Sequence, residues 1–294
     1  MGWKELNHKA LGELKKQTFY IAQRLFQANV AKYPSGYTYH NLGVFLYENG
    51  YETFIHKTFS GQLIGKYYVM KAFNCFSNFQ NCFLLGEINY TEKQYDKAIE
   101  CYNKGITMAE YDNKQVILNN LGASWFCYGK WKEAIAAYSK AMSYEKDSPC
   151  IPLIVNMIHG LIKANEIARA QALYQKYCKF FDMDDQFLFG YLLCDYDSAY
   201  KCMLLLSDFD PDLTMFSMMM NCAERFGDEK LQKLLIDSKR SLIDNIAYAK
   251  RKLSKEFDLI IKSPQARYQK IENYIYRPIT LKICNYINCE CHVD

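Results

Sequence analysis

The densest group of side chains able to do chemistry lies at the C-terminal end, where Cys284, Cys289, Cys291 and His292 fall within nine residues. Thiolate and imidazole are the ligands of tetrahedral zinc, which takes about four of them. The inventory therefore suffices for a metal site with zinc as its cofactor. The spacing argues the other way. Structural zinc sites separate two ligand pairs, each closed over about two to four residues, whereas this Cys-x-Cys-His run would close a strained loop that fastens nothing to the rest of the fold. The segment reads as extended and exposed. A free reactive tail, a disulfide under oxidation, or a segment that threads into the body would use the same residues equally well.

Other catalytic groupings are sparse. The chain has no glycine-rich phosphate loop and no helix bearing His-Glu-x-x-His. His8, His40, His56 and His159 stand alone in sequence, and a pair such as Cys127 with His159 would have to be assembled in space. The expectation is a chain that is not an enzyme. Of the twelve cysteines, Cys75, Cys82, Cys101, Cys127, Cys178, Cys202 and Cys222 sit singly in apolar helical stretches, where a thiol packs as a small hydrophobe.

What positions these residues is helical. Half of the 294 residues are hydrophobic and 16% are aromatic, while glycine and proline number only 14 and 6. That balance favours helix over turn-rich β-structure and excludes a disordered chain. The net charge of +4 is small for this length, so neither nucleic acid nor a membrane surface is expected as partner. The polar start, Met1 to Ala10, lacks the apolar core of a signal peptide, and no apolar run approaches the roughly 20 residues of a membrane span. The expected location is cytoplasmic.

Overlaying the chain on itself reveals a repeat. Leu85-Gly86 recurs as Leu121-Gly122, a shift of 36. The same shift carries Tyr90 onto Phe126, Tyr95 onto Trp131, Ala98-Ile99 onto Ala134-Ile135, and Tyr102 onto Tyr138. Leu-Gly on a first helix lets a second helix cross close to its backbone, and the aromatic residues fill the gap between them. Gly129 falls where the turn between the helices needs a left-handed residue.

These residues resemble the tetratricopeptide repeat. The stretch from Leu121 to Pro149 carries the family pattern almost whole, and Leu85 to Glu110 carries it with small deviations. The resemblance implies an all-α fold, a right-handed α–α superhelix (tetratricopeptide solenoid) with degenerate terminal repeats and a long C-terminal helix. The organisation expected is an N-terminal helix or cap over 1–36 and an array over 37–181, with its best repeats at 79–112 and 115–149. Degenerate helical repeats follow over 182–262, including a long polar helix from Asp228 to about Lys262. The segment 263–294 carries the Cys/His cluster. Upstream, Tyr39 and Leu42-Gly43 open a helix whose second helix, with its small residue at Gly65 or Ala72, is displaced by an aromatic-rich insertion.

The resemblance also implies a concave groove lined by first helices that receives a protein or peptide partner. Mapped onto this sequence, its residues are Gln80, Phe83, Glu87 and Tyr90 in one repeat, and Asn119, Asn120, Ala123 and Phe126 in the next. His40, Tyr47 and His159 extend it through the flanking repeats. Amide side chains such as Asn119 and Asn120 offer both a donor and an acceptor to a peptide backbone. None of these positions is basic, which departs from the relatives that grip a C-terminal carboxylate with lysine and arginine. The expected function is a non-catalytic peptide-binding scaffold or adaptor. The alternatives are an intracellular peptide-responsive regulator and a metal- or thiol-dependent protein acting through its tail.

Overall fold

A computed structural model of the chain describes residues 2–49, 61–144, 148–205, 213–245, 277–287 and 289. The described residues form fourteen α-helices, one short 3-10 turn and no strand. In chain order the helices are α1 (Trp3–Lys15), α2 (Phe19–Lys32), α3 (Gly36–Asn49), α4 (Gly61–Cys75), α5 (Phe79–Thr91), α6 (Tyr95–Ile106) and α7 (Tyr111–Cys127). They continue as α8 (Trp131–Met142), α9 (Ile151–Lys163), α10 (Ile167–Tyr177), α11 (Met183–Leu192), α12 (Tyr196–Leu205), α13 (Leu213–Arg225) and α14 (Glu229–Asn245).

The helices come in pairs, and one turn geometry joins six of them. Gln17, Lys93, Gly129, Asn165, Cys194 and Gly227 all have φ between 60° and 80°, and each separates the two helices of a pair. At Gly129 the amide donates to Phe126 O at 3.0 Å and the next amide, Lys130 N, donates to Trp125 O at 2.9 Å. The same two bonds recur at Gln17, Lys93, Asn165, Cys194 and Gly227. This is the Schellman closure, which satisfies the last carbonyls of a helix through one left-handed residue. Only two of the six residues are glycine, so composition alone does not mark the turns. The N-terminal 1–36 region, where a single helix would fit, is accordingly two helices hinged at Gln17. The Thr18 hydroxyl secures that hinge by donating to Glu13 O at 2.8 Å.

Glycines set the crossing within pairs. A Cβ on Gly86 would lie 2.4 Å from the Tyr102 ring, and one on Gly122 would lie 2.4 Å from the Tyr138 ring. Both tyrosines are fully buried, so the ring from the second helix occupies the place of the missing side chain. In the α3/α4 pair the approach is backbone to backbone: a Cβ on Gly65 would meet Tyr47 N at 2.4 Å, and one on Gly43 would meet Val69 N at 2.8 Å. The small residue anticipated at Gly65 is therefore the contact of a displaced but closely packed second helix. Helix α5 starts on a reciprocal cap, in which Asn81 N donates to Asn78 Oδ1 at 2.9 Å and Asn78 N donates to Asn81 Oδ1 at 2.8 Å.

The chain divides into two compact units. One comprises the residues up to Gly160 together with the segment from Pro278, and the other runs from Leu161 to Arg277. The division falls inside α9, and the described C-terminal segment packs with the first unit. The first unit has a core that includes Phe26, Phe45, Leu46, Val69, Leu84 and Ile88, and Tyr286 of the C-terminal segment joins it. The second is built on Phe187, Met203, Phe216, Met219, Leu231 and Leu235. Of the long polar helix anticipated to Lys262, Glu229–Asn245 is helical and the remainder lies outside the described residues. The basic run Lys250-Arg251-Lys252 also lies outside them.

Candidate functional site

The segment 278–287 lies in the first unit against the first helices of five successive pairs. It has no helical structure, and its contacts are made mostly by asparagine side chains with its own backbone. Asn156 on α9 donates through Nδ2 to Ile279 O at 2.8 Å and accepts the Ile279 amide on Oδ1 at 2.9 Å. Asn120 on α7 treats Leu281 in the same way, with Nδ2 to Leu281 O at 2.9 Å and Leu281 N to Oδ1 at 2.8 Å. Asn41 on α3 does so for Ile287, at 3.0 and 2.8 Å.

The three asparagines hold one place in the repeat. Asn120 and Asn41 immediately precede the Leu-Gly pairs of α7 and α3, and Asn156 is Asn120 shifted by 36. A carboxamide held by its helix offers a donor and an acceptor side by side, which is the edge of an extended residue turned toward it. The clamp therefore reproduces a strand pairing without a second strand.

A second asparagine supports two of the clamps. Asn119 Nδ2 also donates to Ile279 O at 3.0 Å, and its Oδ1 accepts from Asn156 Nδ2 at 2.9 Å. Asn7 Nδ2 likewise donates to Ile287 O at 3.1 Å, and its Oδ1 accepts from Asn41 Nδ2 at 2.6 Å. Asn7, Asn41, Asn119, Asn120 and Asn156 are all buried, and these exchanges satisfy polar groups that would otherwise be costly to bury.

The α5 repeat breaks the pattern, because its equivalent of Asn120 is Leu84. Its contribution is Glu87, one turn further on. Glu87 Oε1 pairs with Lys282 Nζ at 2.5 Å, and Oε2 accepts from Asn285 Nδ2 at 3.2 Å. Glu48 on α3 lies on the other side of the same amide, 3.4 Å from Asn285 Nδ2. Burial raises the Glu48 carboxyl above the usual carboxylate range, and the Asn285 amide works against that rise. His40 Nε2 lies 2.7 Å from Asn285 O, which fixes that nitrogen as the donor and leaves Nδ1 bare. Full burial lowers the His40 pKa to about 4, the hydrogen bond to Asn285 opposing, so the ring is neutral. Tyr286 stacks on Phe26 with ring centroids 6.0 Å apart.

Of the residues mapped to the groove, His40, Glu87, Tyr90, Asn119 and Asn120 therefore all touch this segment. The Tyr90 hydroxyl donates to Pro278 O at 3.2 Å. Ala123, Phe126 and His159 are buried in the same repeats, Tyr47 is half-buried against the core, and Gln80 is half-buried at the start of α5. Phe83 is fully buried, its ring packed edge-on to Tyr102 at 6.0 Å inside the α5/α6 pair. Asn7, Asn41, Glu48 and Asn156 were not anticipated. Asn156 follows from extending the 36-residue register from Asn120, and Asn41 from its place before the Leu42-Gly43 pair; Asn7 and Glu48 carry no such mark.

The tail is also not exposed as expected, since Asn285, Tyr286 and Ile287 are buried. A cavity of about 640 Å³ runs beside it, lined by His8, Leu11, Lys15, Glu48, Cys284 and Cys289 among others. Cys284 is a free thiol and Cys289 is disulfide-bonded, while Cys291 and His292 lie outside the described residues. Of the helical cysteines, Cys75 is exposed rather than packed, whereas Cys82 and Cys222 are buried and their thiols pushed up to about 11 by desolvation. No helix among the described residues is long and apolar enough to cross a membrane.

No protein-family model and no curated protein matches the sequence. Solved structures do resemble the fold. The chain is similar to pilF of Pseudomonas aeruginosa at 15% identity and a TM-score of 0.56, over 81% of this chain and 97% of that one. It is also similar to a tetratricopeptide repeat protein from Parabacteroides merdae at 11% identity and a TM-score of 0.58, over 88% and 97% of the two chains. The helix pairs, their Schellman turns and these likenesses together give the chain the all-α tetratricopeptide-repeat fold.

Proposed function

We propose that this chain is a non-catalytic tetratricopeptide scaffold whose groove takes a protein or peptide segment in extended form and holds it by the backbone. The observation that carries the reading is the set of three asparagine clamps, each engaging both the N–H and the C=O of one tail residue. Backbone-directed clamps are indifferent to side-chain identity, so they suit a site that grips peptide as such. The neighbouring side chains then decide which peptide. A cytoplasmic setting goes with this reading, because described cysteines such as Cys75, Cys82, Cys194, Cys202 and Cys222 are free thiols, the usual state in a reducing compartment, with the disulfide-bonded Cys289 as the exception.

The test is a panel of immobilised peptides probed with the full chain carrying Ile279→Pro, Leu281→Pro and Ile287→Pro. These substitutions remove the three tail amides that the clamps accept and leave the groove residues untouched. The expected result is peptide retention that is lost when Asn119, Asn120 and Asn156 are also changed to alanine. Retention that survives those changes would overturn the reading.

A further inference from the structure

The groove is already filled by its own chain, and its contacts with the tail are of two kinds. The clamps on Ile279, Leu281 and Ile287 read backbone. Ile279 is 42% exposed, so its side chain adds little to recognition. The side-chain contacts are concentrated further along. Lys282 reaches Glu87, Asn285 lies between Glu87 and Glu48, and Tyr286 and Ile287 are buried, the Tyr286 ring against Phe26 of α2.

Glu87 is the pivot. Its side chain is 7% exposed, whereas that of Lys282 is 72% exposed. The carboxylate is built into the groove wall and the cation arrives with the occupant. An occupant that covers this carboxylate as the tail does, without supplying a partner, would leave it buried and uncompensated, which is strongly unfavourable; a second carboxyl, Glu48, stands across the Asn285 amide. The central repeat, which lacks the clamp asparagine, thus selects by charge where its neighbours select by backbone.

Resting on the peptide-binding reading above, we infer that the segment Pro278–Ile287 is a resident lock on the groove. The partner that displaces it is an extended segment carrying a lysine that pairs with Glu87, followed four residues later by an aromatic–aliphatic pair. An occupant tethered to its own site enjoys an effective concentration of roughly millimolar order. A partner segment therefore competes only when it matches both the backbone clamps and the charge. An acidic residue at the lysine position meets Glu87 and Glu48 and is rejected.

The experiment uses a fluorescein-labelled peptide with the sequence of residues 277–287, Cys284 replaced by serine, and follows its anisotropy with the full chain. The expected result is at least tenfold tighter binding to the Ile279→Pro, Leu281→Pro, Ile287→Pro chain than to the wild type. A peptide carrying Lys282→Glu should bind that chain at least tenfold more weakly, and adding Glu87→Lys to the chain should restore it. Equal binding by wild-type and proline-substituted chains would overturn the lock. Equal binding of the lysine and glutamate peptides would overturn charge selection while leaving the groove reading intact. No binding of any peptide to a folded proline-substituted chain would overturn the groove reading itself. Should that chain fail to fold, hydrogen exchange of the wild type decides the matter: excess peptide must accelerate exchange at Leu281 and Ile287, and unchanged exchange overturns the lock.

Discussion

Asn156 and Ile279, 123 positions apart in sequence, exchange two hydrogen bonds through one carboxamide and one backbone residue, at 2.8 and 2.9 Å. The same exchange joins Asn120 to Leu281 and Asn41 to Ile287. A helical repeat protein thereby holds a non-helical segment of its own chain against its first helices without offering it a sheet.

Removing one clamp leaves two backbone groups of the tail without partners. Asn120→Ala is expected to lower stability by about 1–3 kcal/mol, the usual cost of unsatisfied buried polar groups. Detachment and rehydration of the tail limit the loss. Urea denaturation measures the change, and hydrogen exchange should show the Leu281 amide losing protection before the helical core does.

Glycine substitutions should separate by position. Gly122→Ala places a methyl 2.4 Å from the fully buried Tyr138 ring and is expected to cost about 3 kcal/mol, the upper end for overpacking. Gly12→Ala, inside α1 with no heavy atom within 4 Å of the added Cβ, is expected to stabilise by about 0.5–1 kcal/mol through helix propensity. Thermal melts of the two variants should move in opposite directions.

His40 makes the first unit acid-sensitive. Its pKa is about 4 when folded, against about 6.5 in an unfolded chain. Between these values the unfolded state binds more protons, so stability falls as pH drops, by about 3 kcal/mol across the window. Glu48, with its pKa raised on folding, contributes in the opposite sense. The variant His40→Gln, which retains a donor for Asn285 O, should show a smaller loss of stability between pH 6.5 and 4 than the wild type. An unchanged pH profile would remove His40 as the cause.

Thiol labelling should follow burial. Cys75 and Cys194 are exposed, whereas Cys82 and Cys222 are buried with thiols raised to about 11. A thiol reagent should modify the first two within the dead time of mixing and the second two only on unfolding. The variant Cys75→Ser, Cys194→Ser should lose the fast phase.

The sequence by itself determined the fold class and the register of the central repeats, because those features rest on local constraints. Gly86 and Gly122 must admit Tyr102 and Tyr138, and a 36-residue shift superimposes every residue of that contact. The resemblance also grouped Glu87, Tyr90, Asn119 and Asn120 on the first helices, and the structure sets all four against the segment 278–282. The turns at Gln17, Lys93, Asn165 and Cys194 escaped it, because a Schellman closure is fixed by backbone hydrogen bonds and here tolerates residues other than glycine. Only the tertiary structure decided what packs against these first helices. Nothing near Ile279, Leu281 or Ile287 in sequence announces their partners, which stand 123, 161 and 246 positions away. Such contacts are made between a tail whose backbone is unpaired and asparagines whose amides are buried. Each leaves the other's polar groups unsatisfied until the chain has folded back on itself, and that mutual requirement exists only in three dimensions.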